Sequence, residues 1–138
     1  RLVAAYEALS PANLPDLLSL YTEQASFEDP FNQVRGRAAI GRVFEHMFKA
    51  LHQPRFVVLT AVSQDLDVFL TWDFHFSRQT GGETLCIHGA THLRLSPDGL
   101  VLAHRDYWDA ARELYEKLPV LGLLMRGLRR LLATPQGD

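Results

Sequence analysis

Cysteine is nearly absent from this chain. Cys86 stands alone, so no disulfide can form within the chain, and a reducing cytoplasmic setting suits it. An excess of charge of one sign is also missing. Fourteen Lys and Arg stand against sixteen Asp and Glu, for a net charge of -2, which argues against nucleic acid as the main partner. Long apolar runs are lacking too: Val120 to Met125 is broken by Gly122 and stopped by Arg126, far short of the roughly 20 residues a bilayer span requires. No charged leader with an apolar core and cleavage site follows Arg1. Nor is there a Gly-x-Ser-x-Gly elbow, a phosphate loop, a dinucleotide fingerprint or a ligand string of known metal spacing. Neither a metal nor an organic cofactor is therefore expected. His88 and His92, four residues apart on one strand, are separated by roughly 13 Å and read as surface or dimer-face residues.

What remains is an ordinary globular composition, 47% hydrophobic and 22% charged over 138 residues. That length suits a single domain over residues 1–138 with a sizeable core. Leu2 to Leu9 has the apolar spacing of a short helix. Asn13 is a plausible N-cap for a second, running from Leu14 to about Tyr21 with Leu14, Leu17, Leu18 and Tyr21 inward. Ala25 to Asp29 reads as a short strand halted at Pro30. After Gly36, the residues Ile40, Val43, Phe44, Met47 and Leu51 recur at helical spacing and mark a longer helix.

From Pro54 the period changes to two. Strands are predicted over Arg55 to Val62, Asp67 to Ser77, Glu83 to Leu95 and Leu100 to Asp109, joined by tight turns at Thr80-Gly81-Gly82 and Ser96-Pro97-Asp98-Gly99. Trp72, Phe74 and Phe76 share one face of their strand as an aromatic wall, and Thr91 lies on the matching face of the next. In the last strand, alternation puts Leu102, His104, Asp106 and Trp108 on one face and Val101, Ala103, Arg105, Tyr107 and Asp109 on the other. Whichever face is inside brings an ionisable group with it, and a chain keeps a buried carboxylate mainly when it is paired or used. One reading is an ion pair between Arg105 and an acid on a neighbouring strand; the other is a pocket-lining strand. His104 and Asp106 could be an acid/base pair, a contact fixing a tautomer, or pocket residues without chemistry.

Residues 110–133 form a helical extension in this reading, Ala110 to Leu118 and Val120 to Leu132, the second basic at Arg126, Arg129 and Arg130. Closing over the sheet or a partner subunit is its commoner use, ahead of a membrane surface. The whole makes an α+β fold: a cone-shaped α+β barrel, with a curved, mostly antiparallel sheet around a long helix, whose mouth can hold a small apolar molecule.

Several strings add to this. The Tyr6 helix, Leu14-Pro15-Asp16-Leu17-Leu18-Ser19-Leu20-Tyr21, Ala25-Ser26-Phe27-Glu28-Asp29-Pro30-Phe31, Gly36-Arg37-Ala38-Ala39-Ile40 and His104-Arg105-Asp106-Tyr107-Trp108-Asp109 together resemble the nuclear transport factor 2-like superfamily, in particular its ketosteroid isomerase and SnoaL-like polyketide cyclase branches. The resemblance covers the chain to about Asp109. Ketosteroid isomerases use an Asp base with an oxyanion hole of one Tyr and one protonated Asp. The resemblance implies Asp29, in Glu28-Asp29-Pro30, as the base and Tyr6 as the oxyanion donor. The second Asp is replaced by Thr91, whose hydroxyl can donate but lacks carboxylic acidity. Asp106, on the adjacent strand, offers a replacement carboxyl. The implied activity is acid/base isomerisation or cyclisation of an apolar ketone or ring substrate, catalysed by Asp29, Tyr6 and Asp106 with His104, Trp108, Trp72, Phe74 and Thr91 lining the pocket. The alternative is a hydrophobic-ligand carrier or dimeric scaffold, a homodimer formed through the outer sheet face with Phe69, Thr71, Val101 and Ala103.

Overall fold

The computed structural model describes residues 1–78, 81–110, 113 and 130–134. Among these, three helices, α1 (Leu2–Glu7), α2 (Leu14–Leu18) and α3 (Arg37–Ala50), accompany six strands: β1 (Tyr21–Glu28), β2 (Gln33–Arg35), β3 (His52–Gln64), β4 (Asp67–Ser77), β5 (Thr84–Leu95) and β6 (Val101–Tyr107). The strands form one sheet in the order β2-β1-β6-β5-β4-β3, antiparallel throughout except where β1 runs parallel to β6. The α+β cone inferred from the sequence is the fold observed.

The apolar stripe of α3 makes it the central helix. Ile40, Val43 and Phe44 are buried against Phe27, Leu70, Trp72, Phe74 and Phe76 from the inner face of the sheet. Each such side chain contributes roughly 1.5–3 kcal/mol by leaving water. Alternation in β4 and β5 is as the sequence indicates, with Leu70, Trp72, Phe74 and Phe76 inward beside Ile87, Gly89, Thr91 and Leu93. Gly99, at φ +85°, closes the β5–β6 turn with its N–H on the Ser96 carbonyl at 2.8 Å, a backbone conformation glycine adopts at little cost.

Four expectations are corrected. The second helix ends at Leu18, not near Tyr21, as the Ser19 hydroxyl donates back to the Asp16 carbonyl at 2.6 Å, a local bond that competes with continued helix. Tyr21 is fully buried, but as the first residue of β1, which starts earlier than Ala25. Asn13 does stand at the N-cap position, yet its side chain accepts from Ser10 N–H and donates to the Ala8 carbonyl instead of capping α2. In β6, a register shift opposite Arg94 and Leu95 inserts one residue and reverses the alternation. Val101, expected on the outer face, is therefore wholly buried, while Leu102, expected beside His104, is 42% exposed. The short strand β2 went unforeseen.

Of the expected C-terminal helices, Ala110 and residues 130–132 are helical; most of Ala110 to Leu118 and Val120 to Leu132, including Arg126 and Arg129, lies outside the described residues. Leu131 and Leu132 pack against the core.

Candidate functional site

The site is made by the one parallel pairing in the sheet. Phe27 lies opposite His104 and Glu28 opposite Arg105, and Arg105 Nε donates to Glu28 Oε2 at 2.8 Å on the outer side. The ion pair weighed for Arg105 is therefore real, and it leaves the alternate residues, His104 and Asp106, for the inner face. One step beyond Glu28, Asp29 comes alongside Asp106.

His104 is 5% exposed. Its Nε2 lies 2.7 Å from Asp106 Oδ1, and its Nδ1 lies 2.7 Å from the Tyr21 hydroxyl and 3.3 Å from that of Tyr6. Tyr6 and Tyr21 are joined by a short hydrogen bond between their hydroxyls. From the other side, Thr91 donates to Asp106 Oδ1 at 2.6 Å, and Trp72 Nε1–H donates to Thr91 Oγ1 at 2.7 Å. One assignment satisfies every group: Tyr6 donates to Tyr21, Tyr21 to His104 Nδ1, and His104 Nε2–H to an ionised Asp106. Burial pushes both phenols up from their ordinary range, and the negative charge of Asp106 adds to the effect. Both remain neutral donors at physiological pH.

Asp29 holds the turn that follows β1. Its Oδ1 accepts from Phe31 N–H at 2.8 Å and Asn32 N–H at 2.6 Å, the geometry of an Asx turn. Among the described residues, Oδ2 takes only a long 3.3 Å contact, from Asn32 Nδ2. The pKa of this carboxyl is raised from 3.8 to about 6, first by burial and then by repulsion from Asp106, against the hydrogen bonds of Phe31 and Asn32. Because the folded-state value is the higher one, the native chain retains a proton that the unfolded chain loses at lower pH. Asp29 accordingly subtracts stability as pH rises from about 4 to about 6, by at most about 3 kcal/mol.

Two cavities of about 30 and 70 Å³ open off this network, sharing Phe44, Phe56, Trp72 and Asp106 as walls. Tyr6, Thr91 and His104 face the first; Asp29, Phe74 and Trp108 face the second. All eight residues singled out in the sequence thus border one divided hollow. The larger cavity is also lined by Leu132, whose carbonyl accepts from Asn32 Nδ2, while Thr134 N–H donates to Asn32 Oδ1. Leu132 and Thr134 are thereby tied to the turn that carries Asp29.

Sequence reasoning missed Tyr21 and Asn32. Tyr21 fitted a helical stripe through Leu14, Leu17 and Leu18, and nothing local marked it as a partner of a histidine 83 residues away. Asn32 carried a signal: Asp-Pro-x-Asn is a turn composition.

A SnoaL-like domain model matches residues 2–104. No curated protein matches the sequence. Among solved structures, a hypothetical protein with ketosteroid isomerase-like fold from Catenulispora acidiphila, in complex with trimethylamine, superposes with a TM-score of 0.72 at 17% identity, over 85% of this chain and 89% of that one. A putative SnoaL-like polyketide cyclase from Shewanella putrefaciens gives a TM-score of 0.68 at 20% identity, over 83% and 91%. The epoxide hydrolase/cyclase-like enzyme SalBIII, of pyran ring formation in the polyether salinomycin, gives 0.62 at 19%, over 70% and 78%.

Proposed function

The chain belongs to the SnoaL-like domain family, and from that premise we propose that it is a small-molecule pocket protein that moves protons by acid/base catalysis without metal or organic cofactor, as an isomerase or cyclase of an apolar ketone or ring substrate. One observation carries this reading. Asp29 and Asp106, brought together from opposite ends of the chain, line the same aromatic-walled cavity. Similarity to a putative polyketide cyclase and to a cyclase-like enzyme of pyran ring formation supports it.

In this mechanism Asp29 takes a proton from a carbon next to the substrate carbonyl, since a carboxyl with a pKa of about 6 is a competent base near neutrality. Tyr6 faces the developing oxyanion. To donate to it, Tyr6 must turn its O–H away from Tyr21, which then donates to Tyr6 while His104 Nδ1–H donates to Tyr21. That reversal needs an extra proton on the His104–Asp106 pair, so oxyanion binding and protonation of the pair are coupled. Trp72, Phe74 and Trp108 are the apolar walls, and Thr91 holds Asp106 in place. A ring-sized guest must open the partition between the two cavities, where Phe56 packs edge-on to Trp72 at 5.5 Å.

The test is a panel of steroid-like and polyketide-like ketones, followed by tryptophan fluorescence and by deuterium exchange at the carbon beside the carbonyl in heavy water. Saturable quenching with catalysed exchange is expected, and Asp29→Asn lowers the exchange rate by about 10²–10⁴. Saturable binding with no exchange from any ketone would replace the enzyme reading by that of a ligand carrier.

A second reading, a dimeric scaffold of the same fold, is favoured by one observation: Leu59, Val62 and Phe69 are 52%, 57% and 48% exposed, with Phe69 opposite Val62 across the outer face. Apolar groups grouped in this way suit a second copy of the chain. Sedimentation at micromolar concentration should show a dimer that Phe69→Asp dissociates. A monomeric parent chain overturns the homodimer and leaves the pocket chemistry standing.

A further inference from the structure

The outer face of the sheet, turned away from the hollow, carries a second group of side chains with metal-binding chemistry. His75 on β4 lies directly opposite Cys86 on β5, and Asp73, two residues earlier on the same face of β4, lies opposite His88. A carboxylate oxygen of Asp73, an imidazole nitrogen of His75 and the Cys86 sulfur all fall within 4.8 Å of one another, each on a partly buried side chain. His88 Nδ1 lies 2.9 Å from Asp73 Oδ1, the contact by which a neighbouring group orients a carboxylate ligand.

We propose that Asp73, His75 and Cys86 bind one Zn²⁺-type divalent cation per chain, with His88 orienting the Asp73 carboxylate and a water completing a tetrahedral shell. Thiolate, imidazole and carboxylate together are the donor set of a borderline-soft cation, whereas Ca²⁺ and Mg²⁺ take oxygen ligands. The spacing is that of a site that closes by small side-chain rotations: tetrahedral ligand atoms about 2.0–2.3 Å from a common centre stand about 3.3–3.8 Å apart. Neighbouring antiparallel strands supply this arrangement cheaply, because a directly opposed pair and its diagonal neighbour meet on one face. Binding releases the thiol proton of Cys86, and the imidazole coordinates as the neutral base. Arg55, across from His75 on β3, is exposed. The site shares no residue with the hollow, so the cation has no part in the proton chemistry proposed there.

No local pattern marks this group, because its members are split between two strands and their spacing follows no ligand motif.

The experiment is titration of the intact chain with Co²⁺ and Zn²⁺ after treatment with chelator and thiol reductant. Co²⁺ is expected to bind one per chain, with a thiolate charge-transfer band in the near ultraviolet and intense tetrahedral visible bands, and Zn²⁺ to displace it. Cys86→Ser should abolish the charge-transfer band, and Cys86→Ser and His75→Ala should each weaken Zn²⁺ in chelator competition by at least about tenfold. His92→Ala, on the same strand face but outside the group, should leave affinity unchanged. Zn²⁺ should also raise the Tm of the parent chain but not of Cys86→Ser, which keeps the comparison valid if that variant is less stable. Absence of a thiolate band, or an affinity indifferent to Cys86→Ser and His75→Ala, would overturn the site.

Discussion

Replacing Asp106 by Asn is expected to remove proton transfer while leaving the fold intact, and replacing it by Ala to damage both. An Asn carbonyl can still accept from His104 Nε2–H and Thr91 O–H, so the buried network keeps its partners. It cannot hold the negative charge that balances a proton on His104, and the reversal that frees the Tyr6 hydroxyl is then lost. Exchange at the substrate carbon should fall by about 10²–10⁴, with a Tm within a few degrees of the parent's. Ala leaves two donors without an acceptor in a buried place. At about 1–3 kcal/mol for each unsatisfied group, the expected loss is roughly 2–6 kcal/mol by urea unfolding. An Asp106→Asn variant that exchanges at the parent rate would remove Asp106 from the mechanism.

Gly89→Ala should be the most damaging one-carbon change in the sheet. Gly89 lies opposite Trp72 on the inner face of β5, and a Cβ there would stand 2.5 Å and 2.8 Å from two atoms of the Trp72 ring. That ring cannot simply swing aside. It is 5% exposed, its Nε1–H is bound to Thr91 Oγ1 at 2.7 Å, and Phe56 packs edge-on against it. Overpacking of a core costs about 1–3 kcal/mol, and loss of the Trp72–Thr91 bond adds about 1. A destabilisation of roughly 2–4 kcal/mol follows, with a fall in Tm on the order of 10 °C. Trp72→Phe in the Gly89→Ala background should recover part of it, since neighbours in contact are not additive. A Gly89→Ala chain as stable as the parent would mean that the Trp72 ring is loosely held, and with it the Trp72–Thr91–Asp106 chain.

The parts of this fold legible in the sequence are those where one periodicity runs undisturbed over ten or more residues. In α3 the stripe Ile40, Val43, Phe44 and Met47 has a single interpretation, and in β4 Leu70, Trp72, Phe74 and Phe76 alternate without a slip. Where a bulge intervenes, the pattern misleads. The inserted residue in β6 exchanged Val101 and Leu102 between core and solvent, and a shift between Tyr21 and Ser26 masked the start of β1. The strand β2, three residues long, is too short to carry a period. At the site, Asp106 and His104 were legible because a carboxylate and an imidazole on one face of an apolar strand are chemically conspicuous, whereas Asp29 and Tyr6 were marked by the family resemblance of the strings that hold them. Tyr21 was not, since its role depends on a parallel pairing that no local pattern encodes.

The charge of Asp106 in the shared hollow hinders the ionisation of Asp29, and this coupling can be read directly. Carboxyl-carbon NMR titration of Asp29 should give a midpoint of about 6 in the parent chain. In Asp106→Asn it should give a lower one, because the neighbouring charge that adds to the effect of burial is gone. A parent midpoint in the ordinary carboxyl range, or one that Asp106→Asn leaves unmoved, would contradict the shared site.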